Sequence, residues 1–146
     1  MAEPVEPLMV HASCVAVGAR AVLIRGGSGS GKSALALAMM GLGAALVADD
    51  RVWLTRDAGQ VIATAPQATA GLIEARGVGI LRADALGSAP VVLVADLERT
   101  ETDRLPHPRT TVLLGCRLPL LFRVDGPHFA PALVQYLKAG RWDDDR

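Results

Sequence analysis

The chain has 146 residues, 51% of them apolar, and a formal net charge of zero. That is enough for one domain with a real core, and the neutral balance provides no basic field of the kind that marks a nucleic-acid binder or a protein drawn to anionic membranes. Aromatic residues make up only 3%, too few for a platform on which single-stranded bases could stack, so the core is expected to be aliphatic.

The first eight residues carry Glu3, Glu6, Pro4 and Pro7 and no basic cluster, and residues 1–8 are expected to be a flexible segment without an export signal. The longest apolar runs, such as Pro90–Ala95, are strand-sized and far short of the roughly 18 residues that cross a bilayer. A cytoplasmic protein with no membrane partner is expected. Cys14 and Cys116 lack metal-ligand spacing and are expected to be reduced, buried small hydrophobes.

Val10–Val17 and Ala21–Arg25, separated by Gly18-Ala19-Arg20, predict a hairpin. Its second strand leads into Gly26-Gly27-Ser28-Gly29-Ser30-Gly31-Lys32-Ser33, which satisfies the phosphate-loop pattern G-x-x-x-x-G-K-[ST] in its required context of strand before and helix after. The helix is expected over Ala34–Met40 and is closed by Gly41 or Gly43. Ala44–Ala48 then predicts a buried strand with Asp49-Asp50 at its C-terminal end, where ligands gather in open α/β sheets.

Arg51–Thr55 and Gln60–Thr64 flank the turn-forming Asp57-Ala58-Gly59 and predict a second hairpin. From Gly71 to Leu81 apolar residues alternate with glycines, which suits neither a long helix nor a regular strand and predicts a tight loop near a ligand. Pro90–Ala95 is an apolar strand ending at Asp96, Glu98–Pro108 a charged surface loop, and Thr110–Leu114 a further strand. A last helix is expected over Phe129–Ala139, and Asp143-Asp144-Asp145 gives residues 141–146 the character of an acidic tail. The folded domain is thus expected to span residues 9–140.

The loop's chemistry follows from its residue types. Glycines let successive N–H groups converge on one anion, the helix N-terminus adds its partial positive charge, Lys32 can reach the β- and γ-phosphates, and Ser33 can ligate Mg²⁺. The chain has two lysines against thirteen arginines, and one lysine stands where a slim ammonium is needed among glycines.

Phosphoryl transfer also needs a carboxylate for the acceptor's proton and a ligand for the metal. Asp49 and Asp50 offer carboxylates that alternation along an extended backbone would send to opposite faces, although an Asp-Asp turn without chemistry fits the spacing equally well. Glu74 lies in an apolar, glycine-bounded stretch, where a carboxylate is costly unless a cation or donor meets it; Arg76 is the plain alternative partner. Read alone, His11 is an ordinary strand-start histidine, and Arg104 a solvated loop residue.

The ordered landmarks resemble the catalytic domain of the HPr kinase/phosphorylase family. They are His11, the loop Gly26–Ser33, Leu46-Val47-Ala48-Asp49-Asp50, Ile73-Glu74-Ala75-Arg76-Gly77-Val78-Gly79-Ile80-Leu81 and Asp103-Arg104-Leu105. The resemblance covers roughly His11 to Gly115. It implies an α/β phosphate-loop kinase fold of the type related to phosphoenolpyruvate carboxykinase, with a β-rich core and few helices. It further implies ATP- and Mg²⁺-dependent transfer to a serine of an HPr-like phosphocarrier protein. By motif position, Lys32 would hold phosphate, Ser33 and Glu74 would bind Mg²⁺, Asp50 would take the serine proton, and His11 and Arg104 would complete the catalytic set.

The chain also departs from the family pattern. Ala34 stands where the family places a glutamate after Lys-Ser, and Leu120-Leu121-Phe122-Arg123-Val124-Asp125-Gly126 replaces the proline- and arginine-rich segment used for phosphorolysis. The expectation is a short-form kinase without the family's N-terminal domain, with weak or absent phosphorylase activity. Family members are hexameric, so a homo-oligomer is expected. A nucleotide-sensing module without transfer, or a small-molecule kinase on the same scaffold, are the competing readings.

Overall fold

The computed structural model describes residues 6–143. The strands are β1 (Leu8–Val10), β2 (Ala12–Val17), β3 (Arg20–Arg25), β4 (Ala45–Ala48), β5 (Val52–Asp57), β6 (Gln60–Thr64), β7 (Leu72–Ala75), β8 (Gly79–Arg82), β9 (Ser88–Thr100), β10 (Arg109–Leu113) and β11 (Cys116–Arg123); the helices are α1 (Lys32–Met40) and α2 (Phe129–Ala139). Leu8, expected in the flexible segment, opens β1. Residues 1–5 and 144–146 of the two expected terminal segments lie outside the described residues.

The main sheet runs β1-β5-β6-β9-β3-β2-β4, and β11, carrying β10, joins the C-terminal half of β9. β9 pairs in parallel with β3 and with β11, whereas the β2–β3, β5–β6 and β10–β11 pairs are antiparallel hairpins. Because side chains alternate along a strand, the central strands serve two apolar layers. Val15, Val22, Ile24, Leu46 and Leu93 face the helices, packing with Met39, Phe129, Leu133 and Leu137. Cys14, Leu23, Val47 and Val94 face the other way, onto Leu54, Val61 and Ala63 of the curled β5–β6 arm. The core is aliphatic, as composition predicts.

α1 packs against β2, β7 and α2. That contact explains the largest departure from the sequence reading: Gly71–Leu81 is a two-stranded hairpin, β7 with β8, in place of an irregular loop. The glycines fall around the strands, with Gly71 ahead of β7 and Gly77, at φ 83°, in the turn, so four-residue strands form without a glycine inside β7. Ile73 is buried in the helix-side core, which pins the hairpin and leaves Glu74 on its opposite side.

The charged segment after Asp96 is also shorter as a loop than expected. β9 continues to Thr100 because β11 supplies a partner for its free edge, through a register shift between Phe122 and Arg123. Beyond it, Glu101 receives both the Nε and Nη2 hydrogen bonds of Arg109, at 3.2 and 3.1 Å, and the N–H groups of Thr102 and Asp103. Arg109 lies 4.5 Å from the centre of the Phe122 ring. These donors hold the Glu101 carboxyl below its ordinary value. Cys14 is buried and its thiol is pushed up to about 12 by desolvation. Cys116 is only half-buried, so the expectation of two buried thiols holds for Cys14 alone.

Two outcomes follow from this packing. Leu93→Ala empties a fully buried position and is expected to cost about 2–5 kcal/mol, read from the urea-unfolding midpoint. Glu101 has a lowered folded-state pKa, so its stabilisation is present above the ordinary carboxylate range and is lost as pH falls through the folded value. Glu101→Gln should therefore flatten the acid limb of a stability-against-pH curve, and an unchanged limb would count against the Arg109 pairing.

Candidate active site

β3 delivers the chain into the phosphate loop, and α1 begins at Lys32 after Gly31, whose φ of 98° is a conformation suited to glycine. Gly26 is also required: a Cβ there would stand 2.6 Å from Ser30 Oγ and 3.2 Å from Leu97 Cβ. The loop opens onto a cleft of about 960 Å³ that His11, Lys32, Ser33, Asp50, Glu74 and Arg76 share. His11, from the β1–β2 bend, Asp50, from beyond β4, and Glu74, from β7, thus meet the loop on one surface.

The arrangement depends on Asp49, to which the sequence reading gave no role of its own. Its side chain is 5% exposed. Oδ1 accepts hydrogen bonds from Ser13 Oγ and Ser33 Oγ, each at 2.7 Å, and Oδ2 accepts the backbone N–H of Glu74 at 3.1 Å. One carboxylate therefore ties β2, the start of α1 and β7 together. Ser13 is the second missed residue; the available signal was a lone hydroxyl in the apolar run of β2.

Asp49 and Asp50 do diverge, but not by alternation along a strand. β4 ends at Ala48, and the Arg51 N–H donates to Asp49 O at 2.8 Å across Asp50, which has φ 69°. This i to i+2 bond makes a γ-turn, and a non-glycine residue in such a conformation stores about 1–3 kcal/mol of strain held by its surroundings. The turn directs Asp49 into the protein and Asp50 into the cleft.

Lys32 lines the cleft, but its ammonium is held by the loop itself. Its Nζ donates to Gly26 O and Gly27 O, both at 2.9 Å, and folds back over the loop. No ion pair joins Glu74 to Arg76 among the described residues, so the plain partner considered for Glu74 is not engaged. Arg104 is exposed in the segment after β9 and does not line the cleft.

The donor set suits Mg²⁺, a hard cation that takes oxygen ligands and usually completes its sphere with substrate phosphates and water. The Ser33 hydroxyl donates its hydrogen bond to Asp49, which leaves its oxygen lone pairs available, and Glu74 borders the same cleft. No group of three or more His, Cys, Asp or Glu side chains converges among the described residues, so a cation here would depend on the nucleotide's own oxygens.

A phosphate loop at the end of a central strand, with carboxylates gathered beside it in a β-rich α/β fold, defines a phosphate-loop kinase-type domain. Residues 5–101 match the HPr Serine kinase C-terminal domain, and the chain belongs to that family. The HPr kinase/phosphorylase of Limosilactobacillus reuteri (strain DSM 20016) is 39% identical over 88 residues, covering 60% of this chain and 28% of that protein. The enzyme of the same name from Clostridium kluyveri is 44% identical over 72 residues, covering 49% of this chain and 23% of that protein. This chain thus matches less than a third of those relatives' length. In three dimensions it is similar to the Hpr(Ser) kinase/phosphatase from Coxiella burnetii, with a TM-score of 0.73, 26% identity, and coverage of 90% of this chain and 88% of that one.

The Asp49 hub yields a direct test. Asp49→Ala strands three donors and is expected to cost about 3 kcal/mol in urea unfolding, because buried groups lose their partners. Ser13→Ala leaves Asp49 two donors and is expected to cost about 1 kcal/mol. Equal, small effects would remove Asp49 from its organising position.

Proposed function

We propose that this domain is an ATP- and Mg²⁺-dependent kinase that phosphorylates a serine of an HPr-like phosphocarrier protein. The observation that carries the reading is the cleft itself, where Lys32 and Ser33 of a complete phosphate loop, Asp50 in its γ-turn and Glu74 on β7 share one wall-to-wall space. Family membership and the relatives' names support the acceptor.

In this reading the loop amides and Lys32 hold the β- and γ-phosphates, Lys32 having left the Gly26 and Gly27 carbonyls. Ser33 and Glu74 would hold Mg²⁺, which when bound would neutralise phosphate charge. Asp50 orients the serine hydroxyl and receives its proton while the Oγ–Pγ bond forms and the bond from Pγ to the ADP oxygen breaks. The transition state is loose, so positioning and charge neutralisation carry most of the rate, and a weakly basic carboxylate suffices. His11 lines the same cleft as Asp50. Arg104 would contribute its charge only if its segment closed over the cleft.

Weak or absent phosphorylase activity is part of the proposal. Leu120–Arg123, in the place of the family's proline- and arginine-rich segment, is occupied as the part of β11 that pairs with β9. Assembly into a homo-oligomer and a cytoplasmic setting, where ATP and such a carrier meet, complete it. No helix among the described residues is long and apolar enough to cross a membrane.

Incubation with labelled ATP, Mg²⁺ and HPr should place phosphate on a serine, located by mass spectrometry. Asp50→Asn should lower kcat at least about 100-fold with nucleotide affinity retained. Phosphohistidine, or full activity in Asp50→Asn, would defeat the mechanism. Stoichiometric nucleotide binding without transfer to any carrier would favour a sensing module, and ATP consumption with a metabolite alone a small-molecule kinase.

A further inference from the structure

The C-terminal end of β9 runs past the mouth of the phosphate loop. β9 and β3 pair in one register from Val22 and Leu93 up to Arg25 and Asp96, after which β3 turns away into the loop. Asp96 is fixed at this fork by an ion pair with Arg25 at 3.4 Å, and its Oδ1 accepts the Glu98 backbone N–H at 2.9 Å. Leu97 is buried beneath Gly26, and the exposed Glu98 turns its carboxylate back onto the loop. There Oε1 accepts a hydrogen bond from the Gly27 N–H.

The approach is close at one position: a Cβ at Gly27 would stand 2.6 Å from Glu98 Oε1, so a larger residue there would push the Glu98 carboxylate aside. The same short stretch holds Lys32, through the carbonyls of Gly26 and Gly27. An amide of the anion cradle is therefore taken by an internal anion, and the cradle's cation by internal carbonyls. The sequence reading, which put Glu98 in a solvated loop, gave no sign of this.

We infer that Glu98 is an internal competitor for the nucleotide's phosphates: its carboxylate closes the empty loop, and a nucleotide binds by displacing it. This rests on the nucleotide-binding reading above. A phosphate approaching the loop meets a like charge and one donor already engaged. The apparent affinity falls in proportion to the fraction of molecules in which the loop is open. A loop closed nine times in ten would weaken binding about tenfold.

The test uses the full chain and two variants, Glu98→Gln, which keeps an acceptor oxygen but loses the charge, and Glu98→Ala, which removes both. In ¹H–¹⁵N spectra without nucleotide, the Gly27 amide proton should move upfield in both variants, further in Glu98→Ala. Calorimetry with ADP and Mg²⁺ should show binding tightened about tenfold in Glu98→Ala and several-fold in Glu98→Gln. A Gly27 resonance indifferent to both substitutions would overturn the contact. Equal or weaker ADP binding by both variants, with the unsubstituted chain binding ADP, would overturn the competition while leaving the nucleotide reading intact. No uptake by any of the three would defeat the nucleotide reading and this inference with it.

Discussion

The buried carboxylate of Asp49 is the constraint on which the site's geometry depends. Removing an ionised group from water costs several kcal/mol unless donors replace the lost solvation. Here two hydroxyls and an amide do so. Each donor comes from a different element, so satisfying one oxygen pair fixes β2, the first turn of α1 and β7 relative to one another. It also turns the Ser33 hydroxyl so that its proton points inward and its lone pairs outward, the orientation a cation ligand needs. Among the described residues no arginine or lysine pairs with this carboxylate, which is met by hydroxyl and amide donors alone.

The chain sustains this arrangement by placing unfavourable backbone where the core over-determines it. Asp50 has a positive φ two residues beyond the end of β4, whose fully buried Leu46 and Val47 anchor one side of the γ-turn. The Ala12 N–H, at the start of β2, donates to Asp50 O at 3.3 Å and holds the other. Gly26 and Gly31 serve the loop in the same way, one by letting Ser30 and Leu97 approach, the other by permitting the sharp entry to α1. Rigid apolar layers on both faces of β2 and β3 are what allow a strained turn and a glycine-rich loop to keep fixed positions.

The fork between β3 and β9 gives the loop a second neighbour of opposite character. On one side Asp49 organises Ser33 and Glu74 from below; on the other Glu98 engages a loop amide directly. These two carboxylates differ in exposure and therefore in consequence. The buried one cannot leave its donors without unfolding part of the site, whereas the exposed one can be exchanged for solvent at little cost to the fold.

Local patterns settled what depends on neighbours along the chain. The phosphate loop, the β2–β3 and β5–β6 hairpins, both helices and the strand before Asp49-Asp50 were legible because turn residues, glycine spacing and apolar runs act over a few positions. The family resemblance, carried by ordered landmarks, gave the fold class in advance. Tertiary structure alone decided the rest. Gly71–Leu81 pairs as β7–β8 because Ile73 finds a place under α1, and β9 extends past Asp96 because β11 covers its edge. Asp49 becomes the organising anion because Ser13 and Glu74, remote in sequence, bring their donors to it. Glu98 meets Gly27 only because β9 runs on past the end of its parallel neighbour β3. Hydrogen-bond partners and strand edges belong to the assembled sheet, and a one-dimensional pattern of residue types does not specify which distant groups will share them.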